Sequence, residues 1–147
     1  MVVALSKAHS KQGKRNNMPS FGSSSAKHLK TLHPNLQAIL LEAIEVYDFS
    51  ILCGHRSQQE QDKLFAEGKS KLKYPDSRHN QYPSNAVDIA PYPIDWEDTT
   101  RFARLAGFIE GIAHTKGIKL RLGFDWDGDN DISEHSFLDF PHIELKL

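Results

Sequence analysis

The sequence predicts a single α+β domain in which helices pack on a small, mainly antiparallel sheet. The chain has 147 residues, which is the usual size of one hydrophobic core. Segments with apolar residues at helical spacing alternate with short apolar segments typical of strands. Hydrophobic residues make up 39% of the chain and charged residues 25%, a composition that excludes a disordered or membrane-embedded protein.

Helices are predicted where apolar residues recur every three or four positions and where capping residues stand at the ends of such segments. Serine or aspartate at the first position and glycine after the last are the expected caps. The first predicted helix is 34–47, with Pro34 in its first turn. The second begins with the Ser57–Glu60 capping box and ends at Gly68. The third begins at Asp98 or Thr99 and ends at Gly117.

Short apolar segments between and after these helices predict four strands. In the last of them, alternation places His142 and Glu144 on one face of the sheet and Ile143 on the other. Two long polar loops separate the strands, and loops of this length in compact domains are often functional. The predicted strands are 49–52, 86–90, 118–122 and 141–145, and the loops are 69–85 and 123–139.

The amino-terminal end differs in charge from the rest of the chain. Residues 1–41 carry six Lys or Arg and no acid, whereas the remainder carries 12 basic and 19 acidic residues. We expect residues 1–26 to form a basic, flexible arm and residues 27–147 to form the folded domain. The arm is either a solvated tail or a segment attracted to an anionic cell envelope. It carries no interleaved aromatic motif, so no nucleic-acid partner is expected.

No apolar run approaches the roughly 20 residues that a membrane span needs, so we expect no membrane insertion. The opening residues place their charges after an apolar stretch, which is the reverse of a signal peptide. Cys53 is the only cysteine, which excludes an intramolecular disulfide and an all-cysteine metal cluster. Any bound metal is therefore expected on histidines and carboxylates.

Two histidines and one aspartate at loop–strand junctions predict a metal site. His79 ends the first long loop, Asp88 lies in a strand between Val87 and Ile89, and His142 lies on the last strand. Two imidazoles and one carboxylate are a recurring catalytic zinc set, because a fourth position stays open for water. The alternatives are a structural role for His142 and a salt bridge between Asp88 and a Lys or Arg.

Asp139 and Arg56 supply the other groups that hydrolysis of an amide requires. Asp139 stands three residues before His142 and enters the strand from a turn, so it is the candidate general base for a water molecule at the metal. Arg56 lies in a strand-to-helix loop and is a candidate cation for the oxyanion of the scissile carbonyl. With the zinc set, these residues predict a hydrolase.

The acidic loop 125–131 places aspartates at alternate positions, a pattern found in calcium loops. An EF-hand is rejected, because Asn130 stands where glycine is required and Ser136 stands where glutamate is required. A looser Ca²⁺ site and a purely solvated loop both remain open. Trp126, in the same loop, is expected either to pack at the rim of the cleft or to lie along a substrate.

Taken together, these motifs resemble the zinc peptidase family that contains D-alanyl-D-alanine carboxypeptidases, the D-alanyl-D-alanine dipeptidases of vancomycin resistance and bacteriophage L-alanyl-D-glutamate endopeptidases. The resemblance covers about residues 27–147. Many relatives place six residues between the first histidine and the aspartate, whereas eight intervene here, so loop 80–85 is expected to bulge. The matched motifs are Ser-x-His at Ser77 and His79, Ala-x-Asp at Ala86 and Asp88, acid-x-x-His at Asp139 and His142, and the arginine loop at Arg56.

The resemblance implies a D-Ala-D-Ala peptidase or hedgehog-like fold and a role for each matched residue. Asp139 is implied as the general base and Arg56 as a substrate contact, with Ser77 and Trp126 as further candidate substrate contacts. The implied Zn²⁺ ligands are His79, Asp88 and His142.

The segments AVDIAPYPIDW and FLDFPHIEL are most similar to the phage endolysin branch of this family, which cuts between L-Ala and D-Glu in peptidoglycan stem peptides. We therefore expect a monomeric zinc endopeptidase that is stored in the host bacterial cytoplasm and reaches the wall by holin-type release. The alternatives are a D-alanyl-D-alanine carboxypeptidase and a non-catalytic zinc or wall-binding module on the same fold. Asp139 favours catalysis, because a binding module needs no base there.

Overall fold

The computed structural model describes residues 18–131, 133 and 139–147 and confirms the α+β architecture. A four-stranded sheet is packed with helices, and a one-turn 3-10 helix, Arg78–Asn80, interrupts the first long loop. The helices are α1 Ser23–Leu29, α2 Pro34–Ile44, α3 Gln58–Ala66 and α4 Thr99–Thr115, and the strands are β1 Phe49–Cys53, β2 Ala86–Pro91, β3 Leu120–Leu122 and β4 His142–Leu145.

The sheet has the strand order β1-β2-β4-β3, and every neighbouring pair is antiparallel. Its register places Asp88 of β2 opposite His142 of β4 on one side and opposite Cys53 of β1 on the other. A register shift between Ile51 and Cys53 makes the second pairing possible. The central strand therefore carries Asp88 between two side chains able to bind a metal.

The two faces of the sheet serve different purposes. The odd-numbered residues Val87, Ile89 and Ile143 are buried in the hydrophobic core together with the apolar faces of α2 and α4. Asp88 of β2 and His142 and Glu144 of β4 line a cleft on the other side. The predicted alternation in the last strand is therefore confirmed, and it separates the core from the site.

The capping interactions predicted from sequence are present. The Ser57 hydroxyl accepts the backbone N–H of Glu60 at 3.2 Å, and the Glu60 carboxylate accepts the N–H of Ser57 at 2.8 Å. The Asp98 carboxylate accepts the N–H of Arg101, which settles the start of α4 at Thr99. Gly68 and Gly117 have φ of 73° and 70°, the left-handed conformation that ends a helix at glycine.

The described fold begins earlier than the expected boundary at Lys27. Helix α1 starts at Ser23, and the Ser25 hydroxyl accepts the backbone N–H of Ile51 at 2.9 Å in the interior. Phe21 packs edge-on against Phe49 with ring centroids 5.2 Å apart. The Ser-rich segment has no apolar periodicity in the sequence. It is attached to the fold by one buried hydrogen bond and one aromatic contact, and such contacts leave no periodic pattern. Residues 1–17 of the predicted arm lie outside the described residues.

Loop 80–85, which was expected to bulge, runs against the connection between α1 and α2. The backbone of Ser84 accepts the N–H of His33 at 2.9 Å and donates to the carbonyl of Thr31 at 2.8 Å. Tyr82, between these contacts and the 3-10 helix, is 70% exposed. The extra residues are therefore accommodated at the surface while His79 and Asp88 face the same cleft. None of the described helices is long and apolar enough to cross a bilayer.

Candidate active site

A cleft of about 620 Å³ lies over the polar face of the sheet. It is lined by β2 and β4 from below, by loop 69–79 on one side and by the start of the acidic loop on the other. Every residue that the sequence analysis selected for the site lines this cleft, namely Arg56, Ser77, His79, Asp88, Trp126, Asp139 and His142.

His79 is held so that one ring nitrogen points into the cleft. Its Nδ1 lies 2.7 Å from the carbonyl oxygen of Gly54, and because a carbonyl only accepts, Nδ1 carries the proton. Nε2 is buried, has no hydrogen-bond partner in the described part of the chain, and lies 3.3 Å from Asp88 Oδ1. Ser77 caps the 3-10 turn by accepting the His79 backbone N–H at 3.2 Å. An unpartnered, buried imidazole nitrogen beside a carboxylate is what a metal site requires before the ion binds.

His142 faces the same carboxylate from the neighbouring strand. Its Nδ1 lies 3.2 Å from Asp88 Oδ1, and its Nε2 lies 2.8 Å from Glu144 Oε2. The His79 and His142 rings are 5.2 Å apart between centroids. One oxygen of Asp88 therefore meets an imidazole nitrogen from each side.

The three groups hold one another in charged states. Burial acts to raise the pKa of Asp88, but contacts with His142 and His79 outweigh it and hold that pKa well below its ordinary value. Burial acts to lower the histidine pKa values, but contacts with Asp88, joined by Cys53 for His79 and by Glu144 for His142, outweigh it and raise them to about 10 for His79 and about 8 for His142. In the metal-free protein near neutral pH, protons on both rings therefore supply the positive charge that a divalent cation would supply.

The structure also places Cys53 beside this group. Ligand atoms of Cys53, His79 and Asp88 all lie within 4.8 Å of one another, so these three residues are a candidate metal-binding set. Cys53 is not among the site residues predicted from the sequence, although it directly follows the predicted strand 49–52 and stands three residues before Arg56. The Cys53 sulfur lies 3.8 Å from His79 Nδ1, the nitrogen that already donates to Gly54, and 3.7 Å from the Arg56 guanidinium.

Arg56 is fixed in the cleft by a buried glutamine that the sequence analysis did not select. The Arg56 Nη1 donates to Gln61 Oε1 at 2.9 Å, and Nη2 lies 3.8 Å from Asp88 Oδ2. Gln61 is fully buried and also donates to Ser70 Oγ at 2.9 Å and to the Leu72 carbonyl at 2.7 Å. Gln61 lies in the first turn of α3, and nothing in the sequence of this helix indicates that one of its polar residues is buried. Gln61 thus joins the arginine to the rim of the cleft.

Replacing Gln61 with leucine is expected to lower both stability and the proposed activity. Arg56 Nη1 and the Leu72 carbonyl would lose their hydrogen bonds to Gln61, which costs about 1–3 kcal/mol of the free energy of unfolding. Gln61→Glu keeps the acceptor for Arg56 and should retain more of kcat/KM than Gln61→Leu. Urea unfolding and steady-state kinetics measure the two effects, and equal kcat/KM in the two variants would contradict a role in positioning Arg56.

Asp139 enters the cleft at the turn before β4, as predicted. Its backbone N–H donates to the Gly123 carbonyl at 2.7 Å, and its own carbonyl accepts the N–H of His142 at 3.1 Å. Burial, and next the negative charge of Asp88, raise the pKa of Asp139 above its ordinary value. A carboxylate with a raised pKa suits a general base, because proton transfer is most efficient when the pKa approaches the working pH.

Gly123 leaves room for this turn. A Cβ at Gly123 would overlap the Asp139 carbonyl group and come within 3.0 Å of His142 Cβ. Gly123→Ala is therefore expected to displace Asp139 and lower kcat, whereas Gly107→Ala, in the open on helix α4, should stabilise the fold by about 0.5–1 kcal/mol. Kinetics and thermal unfolding of the two variants check this, and wild-type kcat in Gly123→Ala would refute the displacement.

Trp126 and Arg121 form the wall of the cleft beside His142. The Trp126 ring lies 5.6 Å from the His142 ring, and the Arg121 guanidinium lies 5.1 Å from the centre of the Trp126 ring. Arg121 also donates to the Trp126 carbonyl at 3.0 Å. Trp126 is thus a half-buried rim residue, and its predicted contact with substrate remains a prediction.

The acidic loop begins with a buried carboxylate that is used by the loop itself. Asp125 accepts the backbone N–H groups of Gly128 and Asn130, both at 3.1 Å. Asp127 and Asp129 are exposed and accept N–H groups two residues further on. The three carboxylates are close enough to hold an ion, but these turn contacts account for their positions without one, and the Ca²⁺ prediction gains no support.

Comparison with known proteins identifies the same family that the sequence motifs resemble. A family model described as phage L-alanyl-D-glutamate peptidase matches residues 18–146. The chain is 36% identical over 133 residues to the L-alanyl-D-glutamate peptidase of Escherichia phage T5, with 85% of this chain and 96% of that protein covered.

A solved structure gives the same fold. The crystal structure of the L-Ala D-Glu endopeptidase ChiX of Serratia marcescens superimposes with a TM-score of 0.70, covering 90% of this chain and 94% of that chain. The two sequences are 24% identical, so this similarity establishes a shared fold. The family match and the described residues both start at residue 18.

Proposed function

Because the chain belongs to the phage L-alanyl-D-glutamate peptidase family, we propose that it hydrolyses the L-Ala–D-Glu amide bond of peptidoglycan stem peptides with the aid of zinc. One observation carries the catalytic part of the proposal. The cleft holds two imidazole nitrogens directed at one carboxylate oxygen, with a second carboxylate, Asp139, on its wall. A wall-binding module of this fold would have no need of that second carboxylate.

We assign the zinc ligands as His79 through Nε2, Asp88 through its carboxylate and His142 through Nδ1. The unpartnered His79 Nε2 favours this set, because it faces Asp88 while the opposite nitrogen is engaged by Gly54. Cys53 lies on the engaged side of that ring, so His142 is the better third ligand. When bound, zinc supplies Lewis-acid polarisation of the carbonyl and a lowered pKa for an attacking water.

The protein's own side chains carry the remaining steps. Asp139 accepts the proton of the attacking water and returns it to the amine that leaves. Arg56, whose guanidinium is anchored by Gln61, lies where it can stabilise the negative charge that develops on the carbonyl oxygen. Ser77 acts on the reaction through the 3-10 turn that holds His79.

We infer that the enzyme works as a monomer on the cell wall. In this proposal it accumulates in the cytoplasm of the infected host and reaches peptidoglycan through a holin-type lesion. Peptidoglycan is its partner and substrate, and the basic residues at the start of the chain would favour approach to an anionic envelope.

Mass spectrometry of digested peptidoglycan tests the proposed bond. Purified peptidoglycan is incubated with the zinc-loaded protein, with the chelator-treated protein and with Asp139→Ala. Fragments with a new D-Glu amino terminus, present with the zinc-loaded protein and absent from both controls, are expected. Loss of a single terminal D-Ala would instead identify a carboxypeptidase, and no cleavage by a folded, zinc-loaded protein would identify a binding module.

Zinc uptake is expected to become stronger as pH rises. The ion must replace protons on His142 and His79, whose pKa values are raised to about 8 and about 10 in the metal-free protein. Near pH 7 two protons leave for each ion, so affinity should rise about 100-fold per pH unit, and more slowly above the pKa of His142. Calorimetric titrations in buffers of different ionisation enthalpy count the protons, and zinc uptake without proton release would contradict this ligand set.

A further inference from the structure

Glu144 is a buried carboxylate in the cleft that the proposed reaction does not use. It lies two residues after His142 on the same face of β4 and is only 6% exposed. Oε2 accepts from His142 Nε2 at 2.8 Å, and Oε1 accepts from Arg121 Nη1 at 3.4 Å. Burial of a carboxylate is costly unless charged or polar groups compensate it, so these two contacts account for its presence here.

We propose that Glu144 is a positioning residue that presents His142 Nδ1 for metal binding. The inference rests on the proposed zinc site. A carboxylate accepts hydrogen bonds, so the 2.8 Å contact keeps the proton of the ring on Nε2. The lone pair of the neutral ring is then on Nδ1, the nitrogen that lies 3.2 Å from Asp88. Hydrogen bonds of this kind orient histidine ligands and raise their basicity.

Arg121 restrains Glu144 from the opposite side. Its Nε donates to the Trp126 carbonyl at 3.0 Å, and its guanidinium lies over the Trp126 ring, so the arginine is held at three points. Each oxygen of Glu144 therefore faces one donor. A glutamine at this position has one oxygen and one NH₂ group, so it cannot accept from both Arg121 and His142. The carboxylate is required in this arrangement, rather than any polar group of the same size.

Zinc affinity of Glu144→Gln tests the inference. The full-length protein competes for zinc with a chromophoric chelator, beside the wild type and Glu45→Gln, which removes a charge from an exposed position after α2. Glu144→Gln is expected to bind zinc about 10–100-fold more weakly, and Glu45→Gln as tightly as the wild type. Excess zinc should restore most of the lost peptidase activity, which it would not do for a variant that is merely destabilised.

The ¹⁵N shifts of His142 in the zinc-loaded wild type give a second measurement that needs no stable variant. A metal-bound Nδ1 and a protonated Nε2 are expected. A metal-bound Nε2, or wild-type zinc affinity in Glu144→Gln, would overturn the inference. Failure of the proposed function is distinguishable, because the wild type itself would then bind no zinc or release no stem-peptide fragments.

Discussion

Asp139→Asn is expected to lower kcat for stem-peptide cleavage by about 10²–10⁴-fold while zinc content stays unchanged. Asparagine has nearly the shape of aspartate but cannot accept the proton of the attacking water. The backbone contacts of Asp139 with Gly123 and His142 do not involve the side chain, so the turn should persist. Steady-state kinetics on a soluble stem peptide, with metal analysis of the same samples, measure both quantities.

Asp62→Asn is the matched control for this experiment. Asp62 is exposed on α3 and does not line the cleft, so the same change of charge there should leave kcat at the wild-type value. A large rise in KM with unchanged kcat in Asp139→Asn would indicate a role in substrate binding in place of proton transfer. Wild-type kcat would assign the base to another group.

Asp88→Asn is expected to weaken zinc binding by more than about 100-fold, since loss of a ligand should exceed the cost of losing a partner that only orients a ligand. Asparagine lacks the negative charge with which Asp88 faces both imidazoles, and the ion loses its one anionic ligand in the proposed set. Metal analysis after dialysis and chelator competition measure the loss, and peptidase activity should fall with it.

Three further variants show which side chains hold the ion. Asp76→Asn alters an exposed carboxylate at the edge of the cleft and should bind zinc normally. Cys53→Ser should also retain zinc, whereas His142→Ala should lose it. The reverse result for the last two would make Cys53, His79 and Asp88 the ligand set and would remove His142 from the site.

Much of the site was predictable because the chemistry of short motifs does not depend on the rest of the fold. The ligand candidates were recognisable from residue type and from their positions at loop–strand junctions. Alternation in the last strand even placed Glu144 on the face of His142, but nothing in that pattern distinguished a partner of the histidine from a solvated acid. Their contact depends on a side-chain distance that only the folded strand defines.

Gln61 and the helix at Ser23–Leu29 show where sequence patterns are insufficient. Gln61 is polar, lies within a helix of charged residues and is fully buried, because loop 70–72 folds over it and supplies its acceptors. Helix α1 contains three serines and little apolar surface, and it is placed by the contact of Ser25 with β1. Both roles arise from segments far apart in the chain, which local periodicity does not reveal.

The sequence by itself determined the fold class, the family and the residue types of the site, because helical spacing, strand alternation, caps and catalytic motifs are local properties. Only the tertiary structure decided which atoms face one another. The register of β2 with β1 and β4 places Asp88 between Cys53 and His142, and the hydrogen bonds to Gly54 and Glu144 decide which nitrogen of each ring is available. Ring orientation depends on partners brought together by folding, and it is this orientation that makes two histidines and an aspartate a candidate metal site.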